Sequence, residues 1–89
     1  MRPTVDDIRG WLMRGKRDGA THAIIVCDTF DWSDYPVYVS PGANVREMMA
    51  VVRGKNMQKV MEVYDLALPF GPQLAETRAW HVPEEEGNG

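Results

Sequence analysis

The run His22-Ala23-Ile24-Ile25-Val26-Cys27 constrains this chain more than any other. It is nearly continuous in apolar residues and rich in β-branched ones, so it reads as a strand covered on both faces rather than one half open to water. A second strand is expected at Val37-Tyr38-Val39-Ser40, which alternates and is bracketed by Pro36 and by Pro41-Gly42, where a ladder donor is least needed. The two strands read as a hairpin. Between them lies Cys27-Asp28-Thr29-Phe30-Asp31-Trp32-Ser33-Asp34-Tyr35-Pro36, in which three carboxylates alternate with three aromatic rings.

Helices account for the rest of the expected fold. Thr4 caps a first helix, with Asp7 three residues on as a shorter form of the capping box and Asp6 and Asp7 placed where the helix dipole favours anions. Its inward stripe is Val5, Ile8, Trp11, Leu12 and Gly15; Arg14, Lys16 and Arg17 suit its last turn, and Gly19 stops it. Gly10 and Gly15 each cost about 1 kcal/mol relative to Ala inside a helix, which points to close packing against a strand. Asn44 opens a second helix, Val45 to about Arg53, with Val45, Met48, Met49 and Val52 inward. Asn56 opens a third, Met57 to about Leu66, facing inward through Met57, Val60, Met61 and Tyr64, with Val63 a further candidate; the alternative is one long helix bent at Gly54-Lys55-Asn56. After the turn-rich Ala67 to Pro72, a fourth helix is expected from Gln73 to about His81, with Pro72 at its first position, and its rival is a strand at Thr77 to Val82. Glu84 onward lacks apolar residues, so 83–89 reads as a disordered acidic tail.

The expected class is therefore α+β, in the order α-β-β-α-α-α: a single-layer hairpin, open to extension across a dimer, packed with three to four helices in one domain over residues 1–82. At 89 residues and 44% apolar content the chain makes one modest core. Domains this small often add disulfides, metal or self-association. Cys27 is the only cysteine and no Cys/His cluster has zinc spacing. Self-association remains, and a homodimer or larger homo-oligomer is expected. Met48, Met49, Met57 and Met61 fit either an adaptable core or a soft interface.

Charge and hydropathy narrow the setting. No stretch approaches the roughly 20 apolar residues needed to span a bilayer, and Met1-Arg2-Pro3-Thr4 leads into a polar helix rather than an apolar signal core. A cytoplasmic protein is expected. The net charge of −3 is uneven, with five basic and three acidic residues in 1–20 but three Asp and no Lys or Arg in 21–40. An acidic chain without a recognition-helix motif is a poor candidate for dedicated DNA binding.

Chemistry-bearing motifs are sparse. Asp28, Asp31 and Asp34 supply the hard oxygens a divalent cation takes, but the spacing lacks the glycine and the terminal Glu of an EF-hand, and Asp residues entering loops commonly bond their own backbone. Turn-forming carboxylates are the favoured reading. His22 stands roughly 20 Å along its strand from Asp28, too far for a nucleophile, base and orienting acid to meet at the loop. Cys27 ends the most apolar strand, where burial makes a thiol inert. No Gly-rich phosphate loop is present. Arg14, Arg17, Lys55, Asn56 and Lys59, with Arg9, Lys16 and Arg53, form an anion-binding face if their helices lie side by side.

The residues Ala20-Thr21-His22 to Asp31, Asp34 to Val39 and Met57 to Leu66 together resemble small uncharacterised proteins of bacteria and their phages. That resemblance implies a compact accessory protein and attaches no activity, cofactor or catalytic residue. Two functions follow from the residues themselves. The preferred one is a non-enzymatic binding module, without a cofactor, in which Phe30, Trp32 and Tyr35 anchor a second copy or another protein while Asp31 and Asp34 set charge complementarity. The other is an oligomeric protein that binds a metal at the Asp residues or a phosphorylated small molecule or nucleotide at the basic ones, to hold or hydrolyse it.

Overall fold

The computed structural model describes residues 3–84. Its elements are α1 (Val5–Arg17), β1 (His22–Asp28), β2 (Ser33–Val39), α2 (Val45–Arg53), β3 (Gln58–Asp65) and α3 (Phe70–Leu74). The three strands form one antiparallel sheet in the order β2-β1-β3, so the most apolar strand is central. It is covered on both faces. Ile24 and Val26 join Val39, Val60 and Val63 under Val45, Met49 and Val52 of α2, while Ala23 and Ile25 join Tyr64 and Leu66 under Ile8 and Leu12 of α1. No helix among the described residues is long and apolar enough to cross a membrane.

The expected third helix is instead β3, and the order is α-β-β-α-β-α with three helices. Pairing with β1 explains how a strand came to look helical. Ile25 faces Glu62 but Val26 faces Val60, so Met61 is the extra residue of a bulge. Period 2 becomes a spacing of three at that point. Val60 and Val63 consequently reach the α2 core while Met61 and Tyr64 reach the α1 core, which reproduces the i, i+3 spacing of a helix on each face.

The fourth helix is also corrected. Only the turn Phe70–Leu74 is helical, and Pro72 lies inside that first turn rather than opening a longer helix. Residues 79–81 then run beside the outer edge of β3, where the Val63 amide donates to the Ala79 carbonyl (3.0 Å), the His81 amide donates to the Val63 carbonyl (2.9 Å), and Trp80 makes a single parallel bridge. This is a miniature of the rival strand. Buried Gln73 fixes the connector, accepting from the Asp65 amide at 2.9 Å and donating to the Asp65 and Pro69 carbonyls at 2.8 and 3.1 Å.

Local signals at α1 are realised, since the Asp7 amide donates to Thr4 Oγ1 and the Thr4 amide to Asp7 Oδ2, both at 3.0 Å. Val5, expected inside, is exposed. The two helix glycines differ. A Cβ on Gly15 would sit 2.6 Å from Tyr38 Cε1, so the close approach expected there is real, whereas Gly10 has nothing within 4 Å. At the end of the domain, Arg46 Nε donates to the Pro83 carbonyl at 3.0 Å, and residues 85–89 of the expected tail lie outside the described residues.

Candidate functional site

Strand β2 starts at Ser33, earlier than expected, so the loop contracts to Thr29–Trp32 and both Asp34 and Tyr35 belong to the strand. Pro36 sits within β2, which is an edge strand of this sheet and can accommodate a residue without an N–H. The loop is fastened from within. Asp28 Oδ1 accepts from the Phe30 amide (2.9 Å), and Asp31 Oδ1 accepts from the Ser33 amide (3.0 Å) and hydroxyl (2.7 Å). The Ser33 hydroxyl and then its amide hold the Asp31 carboxyl below the ordinary aspartate range, so it stays ionised. Asp28 and Asp31 thus act as turn carboxylates, and among the described residues no group of three or more His, Cys, Asp or Glu is placed to hold a metal ion.

The Trp32 amide donates to the Asp28 carbonyl at 2.7 Å and closes the loop with Trp32 at φ 61°. That is the left-handed region, where Gly, Asn or Asp is the usual occupant. A second case lies beside it. Met57, at φ 64°, presents its carbonyl to the Thr29 amide (2.7 Å) and hydroxyl (3.1 Å), tying the turn before β3 to the hairpin. Sequence reasoning placed Met57 on the inward face of a helix opened by Asn56 and missed it. The result is an apolar tip in which Phe30 is 77% exposed, Trp32 63% and Met57 51%. Tyr35 is less free for contact, because its hydroxyl donates to Gln58 Oε1 on β3, across β1.

Beside the tip, on the α1 side, an open cleft of ≈ 260 Å³ is lined by Pro3, Asp7, Trp11, Asp31, Trp32, Ser33 and Asp34. Asp34 pairs across the sheet with Cys27, whose thiol is pushed up by burial and then by its hydrogen bond to Asp34, as suits an inert cysteine.

The expected anion-binding face does not assemble from adjacent helices, because the sheet separates α1 from α2 and Lys59 lies on a strand. Gly15 meets Tyr38 and Leu66 at the His22 end of the sheet, which places Arg14 and Arg17 there, whereas Lys55 and Asn56 precede Gln58, the partner of Asp28 at the tip. Arg17 is paired with Asp18 at 3.0 Å, and Lys16 Nζ stands 5.7 Å from the centre of the Phe70 ring.

A more voluminous concavity, ≈ 630 Å³, is at that far end between Thr21-His22 and the first turn of α2, with Arg46, Glu47, Pro83 and Glu84 around it. Its groups are engaged structurally. Thr21 Oγ1 donates to the Val39 carbonyl at 3.3 Å and lies 3.0 Å from His22 Nδ1, and burial lowers the His22 pKa against the opposing pull of Asp65, 3.9 Å away. His81 Nε2 lies 2.7 Å from Glu76 Oε1, and the nearby His81 adds to the lowering at His22. The Thr21 hydroxyl thus lies between a strand carbonyl and the His22 ring.

Comparison with protein-family models, with curated proteins and with solved structures finds no match to this chain. The candidate site therefore rests on its own geometry, and the bacterial or phage origin implied by the sequence resemblance gains no support from relatives.

Proposed function

We propose that this chain is a small non-enzymatic binding module that docks a protein partner through the hairpin tip, with Phe30, Trp32 and Met57 as apolar anchors and Asp31 and Asp34 on the polar surround. One observation carries the reading. Trp32 and Met57 both hold the left-handed backbone conformation while exposing large apolar side chains, a combination that costs on the order of 1 kcal/mol each and that Gly or Asn would avoid. Exposed aromatic anchors on a rigid, hydrogen-bonded support are what interface hot spots require. A reducing, cytoplasmic compartment, in a bacterium or its phage, is part of the same proposal and suits a single buried thiol.

The same backbone fact supplies a clean test. Trp32→Gly removes the anchor and relieves the strain together, so the variant is expected to melt at or above the wild-type temperature while losing binding. Displayed random peptides selected on the wild-type protein should fail to bind Trp32→Gly and should bind Phe30→Ala at least about tenfold more weakly. Peptides that bind all three proteins equally would remove the tip from consideration. Light scattering of the wild type and Trp32→Gly shows whether a second copy is among the partners, since an oligomer built on the tip would fall to the chain mass in the variant.

A further inference from the structure

A second surface lies on α1, on the side turned away from the sheet. The helix packs inward through Ile8, Leu12 and Gly15, with Trp11 beside them. Opposite these, at the i, i+4, i+7 and i+8 spacing of one helix face, stand Asp6, Gly10, Met13 and Arg14. All four are exposed, Met13 at 59%. Neither Asp6 nor Arg14 forms an ion pair with another described residue, and nothing lies within 4 Å of a Cβ placed on Gly10.

This stripe is acidic at one end, basic at the other and smallest in the middle. Asp6 and Arg14 each stand four residues from Gly10, roughly 6 Å along the axis in opposite directions. A face in that order is complementary to its own reverse. Laid antiparallel on a second copy about a twofold axis at Gly10, it brings each Asp6 to the other copy's Arg14; a parallel pair would instead set acid against acid and base against base. The helix dipole favours acids in the first turn and bases in the last, and antiparallel pairing also brings the two dipoles into a favourable arrangement. Gly10 weakens the helix relative to Ala, but at the crossing point its missing side chain lets the two backbones approach. Met13, whose side chain leans toward the helix N-terminus, then covers the other copy's Gly10. We infer that α1 is a self-association surface, on which two copies of this chain pair antiparallel at Gly10 with two reciprocal contacts between Asp6 and Arg14.

One pair of short helices covers less than the roughly 1,200–2,000 Å² of stable interfaces, so the dimer is expected to be weak and to form at about 0.1–1 mM. Sedimentation equilibrium of the full chain from about 10 µM to 1 mM should show the mass rising toward twice that of one chain, less so as salt is raised. Asp6→Arg and Arg14→Glu each set like charges against one another and should weaken association at least about tenfold. An equal mixture of the two variants restores opposite charges at both contacts and should associate as the wild type does. Gly10→Gln should also weaken association at least about tenfold while melting no lower than the wild type, because the space at Gly10 is open within the chain. A mixture no heavier than its components apart, or a dimer that ignores Gly10→Gln, overturns the inference.

Trp32→Gly separates this surface from the hairpin tip. A dimer built on α1 persists in that variant, whereas one that is lost there belongs to the tip and overturns the assignment to α1. A single-chain mass at every concentration overturns it as well, and leaves the docking of another protein at the tip untouched.

Discussion

The two ends of the sheet use aromatic rings in opposite ways. At the His22 end, Tyr38 and Tyr64 flank Ala23 on the α1 face, with Tyr64 buried and Tyr38 half-buried. Their hydroxyls are satisfied inside the protein: Tyr38 donates to the Trp11 carbonyl at 2.8 Å and Tyr64 to Glu62 Oε1 at 3.1 Å. Burial raises the pKa of both. At the other end Phe30 and Trp32 are largely exposed, on a turn fastened by the Asp28 and Asp31 carboxylates. One end shows what aromatic residues do when packing uses them. The other carries rings that are left largely exposed, so the two ends are expected to differ in how much each ring adds to stability.

The largest expected effect is at the packed end. Leu12, fully buried between α1 and the sheet, should cost about 3 kcal/mol on truncation to Ala, measured by urea unfolding. A loss below about 1 kcal/mol would mean that the α1 face contributes little and would break the comparison.

Next comes a pair of substitutions within one helix. Gly15→Ala drives a methyl to within 2.6 Å of the Tyr38 ring and 3.0 Å of Leu66, so a loss of about 2 kcal/mol is expected. Gly10→Ala meets nothing within 4 Å and should raise stability by up to about 1 kcal/mol through helix propensity alone. Equal effects at the two positions would refute the close approach of α1 to Tyr38.

Trp32→Gly is the corresponding test at the tip. Its expected change in stability is between zero and a gain of about 1 kcal/mol, because the left-handed strain is relieved and little burial is lost. Loss of more than about 1 kcal/mol in the same urea measurement would make Trp32 a structural residue and erase the difference between the two ends.

The smallest effect concerns His22, whose folded pKa lies below the usual 6.5 because burial disfavours its charged form. The unfolded chain therefore takes up the proton first. Stability is expected to fall as pH drops through 6.5 toward the folded value and then to level off as far as this group is concerned. Thermal melts between about pH 7 and pH 5 should show that slope in the wild type and a shallower one in His22→Asn; an identical slope would show that His22 is not the group responsible.

Much of this was legible in the residues. The apolar run of β1 implied cover on both faces, and Thr4, Asp7 and Asn44 announced the caps, because each of these signals is local and its physics is completed within a turn or a strand, whereas only the fold separated Gly15, which meets Tyr38 and Leu66, from Gly10, which meets nothing. Asp28 and Asp31 were readable as turn formers for the same reason, since their partners lie two residues away, whereas Asp34, read the same way, is a residue of β2 that meets Cys27 across the sheet. What the residues could not disclose depended on distant partners. The bulge at Met61 exists only in register with Ile25 and Val26, and without that register Val60, Met61, Val63 and Tyr64 carry a helical spacing. The place of 79–81 likewise required the free edge of β3 to be present before a helix there could be rejected. At the tip, composition singled out Phe30, Trp32 and the three Asp residues, but only the folded chain brings Met57, Asp7 and Trp11 to them from segments remote in sequence. Local chemistry determined which groups this protein displays, and strand register decided which of them stand together.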